Sequence, residues 1–346
     1  MPDQHQLQNQ QHQPQPRLLG LGYSVPPGRR TNDDPIFDWL KAHVPPASNP
    51  FQGYKTRAVL APGEDLMTIM MPAALNALED AKLQPSDIDL LLGDASISPY
   101  STPNELSRLH RVLGLPEHAW VIPLNCEFSN FNAGLVMADA LVRAGRARNV
   151  LIVVGGNWTR HVDYHTVQSV SAADGAGAAV VGLSSDRSRW QVVDQQTVTE
   201  SRYFGSMFMR GQSYPQTPPR DGHQRLWSDS FFQITAEGME GFGTFGGGIA
   251  PTAVTTLLGR HQLPASSVTL IAHQASTVLL DRWQTTIQPG QMIQTIADFA
   301  NMTVANIPVN LAWSVANDPI SRDHLVLFAL GPDMHANAVL LERKGK

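Results

Sequence analysis

The chain has 346 residues, 42% of them hydrophobic, with 25 Lys and Arg against 30 Asp and Glu and a formal net charge of -5. That is enough apolar material for one large or two medium domains, and it excludes a nucleic-acid partner, which needs clustered basic charge. One cysteine permits no internal disulfide; with no signal-like leader and no apolar run of membrane-spanning length, a soluble cytoplasmic protein without a membrane partner is expected.

Residues 1–16 are rich in Gln and Pro and predict a disordered tail, with order beginning at Arg17. Leu18 to Val25 reads as a strand stopped by Pro26-Pro27-Gly28, and Asp34 to His43 as a short helix carrying Trp39. Asp65 to Lys82 places Met67, Met70, Met71, Ala74, Leu75 and Leu78 at helical spacing, which predicts a core-filling face. Then come a strand (Ile88 to Leu92), a helix (Pro103 to Leu113), a strand (Trp120 to Leu124), a helix (Glu127 to Arg143) and a strand (Asn149 to Gly155). Strands alternating with helices predict an α/β protein with a parallel sheet covered on both faces.

Leu263 to Ser276 repeats Leu83 to Ser96 at a constant offset of 180 residues, matching Leu83 with Leu263, Ser86 with Ser266, Leu90 with Leu270 and Ser96 with Ser276. The same helix-turn-strand order twice predicts two similar halves, 17–190 and 191–346, joined between about Leu183 and Val198. Glu200 to Gln233 is long, polar and aperiodic, as lids and binding loops are. Glu237 to Gly248 spaces Met239, Phe242 and Phe245 like a helix face but is rich in glycine, which fits either close approach of a ligand or a loosened loop.

Three residues could do chemistry together. Cys126 closes an apolar strand and precedes a helix, where N-H groups and the positive dipole end would lower a thiol pKa; the alternative is a small buried hydrophobe. His273 follows the apolar strand Val268 to Ala272, at the strand edge where α/β sheets bind ligands, and Asn301 lies between another apolar segment and a helix. A cysteine, a histidine and an asparagine at three such junctions match cysteine-based acyl transfer. His161 and His165 have i, i+4 spacing but no further clustered ligands, so no metal is expected.

LNCEFSNFNAGLVMADALVRAG, SAADGAGAAVVG, AHQAS and ANMTVANIPVNL, in that order and spacing, resemble the thiolase superfamily, specifically β-ketoacyl-acyl-carrier-protein synthase III, from about Leu18 to Arg343. The resemblance implies a five-layered αβαβα fold of two pseudo-twofold-related halves, and a homodimer or a heterodimer with a homologue. It implies no cofactor; the substrates are acyl thioesters on coenzyme A or on the phosphopantetheine of a carrier protein. Cys126 would take the acyl group, and His273 and Asn301 would hold the carbonyl of a malonyl or β-keto thioester whose enolate attacks it. Trp39 would lie near the coenzyme, and Phe242, Phe245, Gln274 and Ser276 would contact substrate.

Glu127 and Phe128 follow Cys126 where the family usually has a glycine two residues on; Glu127 reads as a general base or as an acid stabilised at a helix start. The family's glycine triplet aligns with Gly331-Pro332-Asp333, and Pro332 has no N-H to offer an oxyanion hole. A carrier-docking arginine is replaced by Val278, with Arg282 a helical turn on. These departures point to a specialised metabolic relative, with non-condensing acyl transfer to oxygen or nitrogen and an inactive partner subunit as the competing readings.

Overall fold

The computed structural model describes residues 13–100, 102–210 and 231–344. Its strands are β1 (Gln15–Ser24), β2 (Gly28–Thr31), β3 (Thr56–Val59), β4 (Leu90–Ser96), β5 (Trp120–Pro123), β6 (Asn149–Asn157) and β7 (Asp174–Ser184), followed by β8 (Gln191–Thr199), β9 (Met207–Arg210), β10 (Phe231–Ile234), β11 (Val268–Ala272), β12 (Gln291–Ile293), β13 (His324–Leu330) and β14 (His335–Glu342). Two five-stranded sheets carry the fold, ordered β1-β7-β6-β4-β5 and β8-β14-β13-β11-β12. Along each, the first two pairings are antiparallel and the last two parallel. One topology therefore occurs twice, and β2-β3 and β9-β10 are small antiparallel additions.

Apolar side chains decide the layering. Leu135, Ala138 and Val142 of the helix Asn130–Arg143 and Ile307 and Leu311 of the helix Asn306–Asn317 share one core with strands of both sheets, so these helices lie between the sheets. The helices Leu66–Ala81 and Leu106–Leu113 cover the outer face of the first sheet, and Pro251–Arg260 and Thr277–Ile287 that of the second. Helix, sheet, helix, sheet, helix is the five-layered α/β arrangement of the thiolase fold. Among the described residues no helix is long and apolar enough to cross a membrane.

The helix Leu66–Ala81 starts where Asp65 accepts the Met67 N-H and Thr68 accepts the Asp65 N-H, a reciprocal cap. Gly20 and Gly22 let β1 lie directly on it: a Cβ at Gly22 would come within 2.2 Å of the Ala73 carbonyl oxygen. Only part of the methionine face is core. Met67 and Met70 are buried, but Met71 and Leu75 are 36% and 43% exposed, because an outer-layer helix has one covered side.

Order begins earlier than Arg17, since Gln15 and Pro16 already pair with Ser184 and Leu183; residues 1–12 of the expected tail lie outside the described residues. Most of the expected lid, 211–230, also lies outside them. Its described ends are a turn at Ser201–Tyr203 and the paired strands β9 and β10. The glycine-rich stretch is helical: an α-helix Ala236–Gly241 runs through a π-helical segment Phe242–Ile249 into Pro251–Arg260. Other parts of the chain approach four of its glycines: a Cβ at Gly238 would come within 2.5 Å of the Ser206 carbonyl oxygen and one at Gly241 within 2.5 Å of the Tyr203 ring, and the helix Thr277–Ile287 lies against Gly246 and Gly247. Trp283 Nε1 donates to the Gly246 carbonyl at 2.7 Å, and a Cβ at Gly247 would meet the Arg282 guanidinium at 2.6 Å.

Candidate active site

The two halves build the same turn for different purposes. After β5, Cys126 leads into the 3-10 turn Glu127–Ser129 and then the helix Asn130–Arg143, and the Asn130 Oδ1 accepts the Cys126 N-H at 2.6 Å. After 176 residues, Met302 leads into the 3-10 turn Thr303–Ala305 and the helix Asn306–Asn317, and the Asn306 Oδ1 accepts the Met302 N-H at 2.9 Å. Glu127 and Thr303 hold matching left-handed backbones, φ +47° and +52°. Each asparagine also spends its amide nitrogen. Asn130 donates to Asp94 Oδ2 at 3.1 Å, and Asn306 donates to Asn301 Oδ1 at 2.8 Å and faces His273 Nδ1 at 3.2 Å.

These bonds settle what His273 and Asn301 present. The Asn306 oxygen is held by Met302, so its N-H points at His273 Nδ1; that nitrogen accepts and the ring proton sits on Nε2. Nε2 is buried with no partner at hydrogen-bond distance, and burial, opposed only by the Thr303 backbone, drives the imidazole pKa down to about 3, so the ring is neutral. Asn301 Oδ1 takes the Thr303 N-H at 2.9 Å as well as Asn306, leaving its amide nitrogen as the remaining donor. The Phe128 ring lies parallel to the His273 ring, 4.4 Å between centroids.

Cys126, Glu127, Phe128, His273, Asn301, Pro332, Asp333 and His335 all line one cavity of about 890 Å³, whose outer walls carry Trp158, Met207, Phe208, Phe232, Ile234 and Phe242. The expected lowering of the thiol pKa does not occur. Cys126 is exposed at the cavity wall, yet partial burial and the carboxyls of Asp333, Glu127 and Asp94 push its thiol up. The helix proper starts only at Asn130, and the Cys126 N-H is already taken. Desolvation first, and then Glu127, raise half-buried Asp94 to about 7. Burial and Asp333 raise Glu127, while a hydrogen bond from His335, whose other nitrogen meets Ser129 Oγ at 2.6 Å, lowers Asp333.

Of the other expected contacts, Phe242 and Ser276 line the cavity, and Ser276 also caps the helix Thr277–Ile287 by accepting the Leu279 N-H. Phe245 does not; it is fully buried in the core beneath the second sheet's outer helices. Gln274 does not either, because both ends of its amide are tied to Thr295. Trp39 stands outside, stacked on His43 at 4.2 Å. Val278 is exposed at the cavity mouth, whereas Arg282 lies against Gly247. Gly331 donates its N-H to the His335 carbonyl and Pro332 has none, so neither offers a donor to an acyl oxygen. Asn306, Asn130 and Asp94 escaped the sequence reading, which named Phe128 only as a departure from the family's pattern. The Cys-x-x-x-Asn and Met-x-x-x-Asn pair at equal offset was the available signal.

Residues 124–201 match the family model described as 3-oxoacyl-[acyl-carrier-protein (ACP)] synthase III. The chain is 27% identical over 337 residues to the chloroplastic β-ketoacyl-[acyl-carrier-protein] synthase III of Arabidopsis thaliana, covering 90% of this chain and 78% of that protein. Among solved structures it resembles 3-oxoacyl-(acyl carrier protein) synthase III from Pseudomonas aeruginosa PAO1, with a TM-score of 0.78 at 22% identity, covering 96% and 99% of the two chains. The priming β-ketosynthase of the R1128 polyketide pathway gives a TM-score of 0.81 at 20% identity, covering 97% and 98%.

Proposed function

We propose that this chain, a thiolase-superfamily protein of the β-ketoacyl-[acyl-carrier-protein] synthase III-like type, is a condensing acyltransferase that works through Cys126, His273 and Asn301. Cys126 Sγ attacks the carbonyl of an acyl thioester, the carrier leaves as its thiol, and the acyl group stays on sulfur. A second thioester then places its carbonyl oxygen between His273 Nε2-H and Asn301 Nδ2-H. Those two donors carry the negative charge of the enolate that forms when a malonyl thioester loses carbon dioxide or a β-keto thioester loses its α-proton, and the enolate carbon attacks the acyl-cysteine, breaking its bond to Sγ and releasing Cys126 and a β-keto thioester. A neutral ring suits this task, since it donates a proton without surrendering one.

The observation that carries the reading is that His273, stacked on Phe128 with its Nε2 unpartnered, lines together with Asn301 the cavity that holds the only thiol in the chain. A buried donor left without a partner costs about 1 to 3 kcal/mol, a cost explained if an oxyanion fills it during the reaction. Coenzyme A or carrier-protein thioesters deliver the acyl groups. The working form is a cytoplasmic homodimer, which the free edge of β5 with its exposed Trp120 supports.

The test is intact-protein mass spectrometry after mixing with a panel of acyl-coenzyme A thioesters, followed by addition of a second thioester. An acyl adduct that disappears in Cys126→Ala, and a β-keto thioester that forms only with the wild type, are expected. No adduct at all removes the nucleophile assignment; transfer to an alcohol or amine without carbon-carbon bond formation removes the condensation.

A further inference from the structure

We propose that a second cavity, at the joint between the two halves and remote from Cys126, binds a phosphate group, either as free phosphate or on a small phosphorylated molecule. This site is independent of the condensing reading. It encloses about 150 Å³, and its walls include Arg17, Ser185, Arg187, Glu342, Arg343 and Lys344.

Strand register fixes where it lies. Arg17 of β1 pairs with Gly182 of β7, and Gly182 pairs on its other side with Asn149, the first residue of β6. Glu342 of β14 pairs with His324, the first residue of β13. Those are the ends at which the central strands begin, whereas Cys126 and His273 follow the ends at which β5 and β11 stop. The length of the sheets therefore separates this cavity from the catalytic one. The segment joining the halves closes it: the Trp190 carbonyl accepts the Leu18 N-H at 2.8 Å, and the Arg187 carbonyl accepts the Lys344 N-H at 2.8 Å.

Charge identifies the ligand. The chain as a whole carries -5, yet among the described residues lining this small space are four cationic side chains and one carboxylate, an excess of three positive charges. Arg17 is only 7% exposed; its Nη1 donates to the Arg189 carbonyl at 2.8 Å, but its Nε is buried with no hydrogen-bond partner. Burial first, and then the charge of Arg187, pull the Arg17 pKa down, and a bound anion would offset both the lost hydration and the repulsion. Arg343 lies over the Trp190 ring, 4.5 Å from its centroid, and donates to the Ile320 carbonyl. The side chains of Arg187 and Lys344 form no hydrogen bond or ion pair among the described residues, so both are available to a ligand.

Phosphate suits these walls better than a carboxylate does. Guanidinium forks pair with phosphate oxygens two at a time, and a dianion matches more of the excess charge than a single carboxylate can. The volume falls below the roughly 300 Å³ at which ordinary small-molecule pockets begin, so the phosphoryl group enters and whatever carries it stays outside. A bound phosphate ties the start of β1, the joint and the end of β14 together, and occupancy is therefore read as stability.

The experiment titrates the full chain with sodium phosphate, pyrophosphate and AMP by calorimetry, at an ionic strength held constant with sodium chloride, and follows thermal unfolding in the same buffers. Expected are saturable binding and an unfolding midpoint raised by the phosphates and not by chloride. Arg187→Gln and Lys344→Gln are each expected to weaken binding about tenfold or more, while unfolding like the wild type when phosphate is absent. Arg111→Gln, on the outer helix Leu106–Leu113, removes the same charge elsewhere and is expected to bind like the wild type. Tighter binding of AMP than of phosphate supports the site with a nucleotide as its source; equal or weaker binding supports it with free phosphate or pyrophosphate. The proposal is overturned if none of the three binds saturably, if Arg187→Gln and Lys344→Gln bind like the wild type, or if Arg111→Gln weakens binding as much as they do.

Discussion

Phe128 lies flat against His273, their planes 6° apart, and so joins the nucleophile turn of one half to the histidine strand of the other. The ring replaces water on one face of the imidazole and contributes to the desolvation that holds His273 near pKa 3. In Phe128→Ala, water reaches that face and the pKa moves back toward its ordinary value. Carbon-13 labelled histidine should give a His273 signal flat from pH 5 to 8 in the wild type and one titrating in that range in the variant. A flat signal in both would show that other groups exclude the water.

Asn306 positions both donors without lining the cavity. Asn306→Ala deprives Asn301 of one bond and frees His273 to change tautomer. We expect about 1 to 3 kcal/mol of lost stability and at least a tenfold slower condensation, with the acyl adduct on Cys126 still formed. Denaturant unfolding, intact mass and product formation, measured on one preparation, separate the three effects.

Asp94 gives a pH signature whose sign is fixed. Its folded pKa, about 7, lies above the ordinary value of 3.8, so between those limits the native state holds a proton that the unfolded chain has lost. Its contribution is full below pH 3.8 and is lost as pH rises toward 7, at most about 1.4 kcal/mol per pH unit. His273 acts oppositely: lowered to about 3, it contributes fully above 6.5 and loses that as pH falls toward 3. The two slopes offset each other between pH 4 and 6.5. Asp94→Asn should therefore make stability rise more steeply with pH across that window, as urea midpoints at half-unit steps would reveal.

Two glycines should respond in opposite directions to the same change. Gly22→Ala drives a methyl into the Ala73 carbonyl, so a loss of about 3 kcal/mol or more is expected. Gly259→Ala, in the helix Pro251–Arg260 with nothing near its missing Cβ, should gain up to about 1 kcal/mol. Thermal or urea unfolding of both variants checks the pair.

Local chemistry in the chain was sufficient for much of this. Apolar runs such as Val268 to Ala272, short and β-branched, read as buried strands, the helix Leu66–Ala81 announces itself by spacing and by Asp65, and a 180-residue repeat implies one topology used twice. Those patterns are legible because each rests on neighbours within a few residues or on copying. The ionisation of Cys126 was not, since the turn suggests a lowered pKa while burial first, and then the carboxyls of Asp333, Glu127 and Asp94, raise it. Nor were the removal of Gln274 and Phe245 from the cavity and the placing of Phe128 on His273 and of Asn306 between His273 and Asn301. Electrostatic fields and hydrogen-bond partners act through space, so only the packing of the two halves around one cavity decided them.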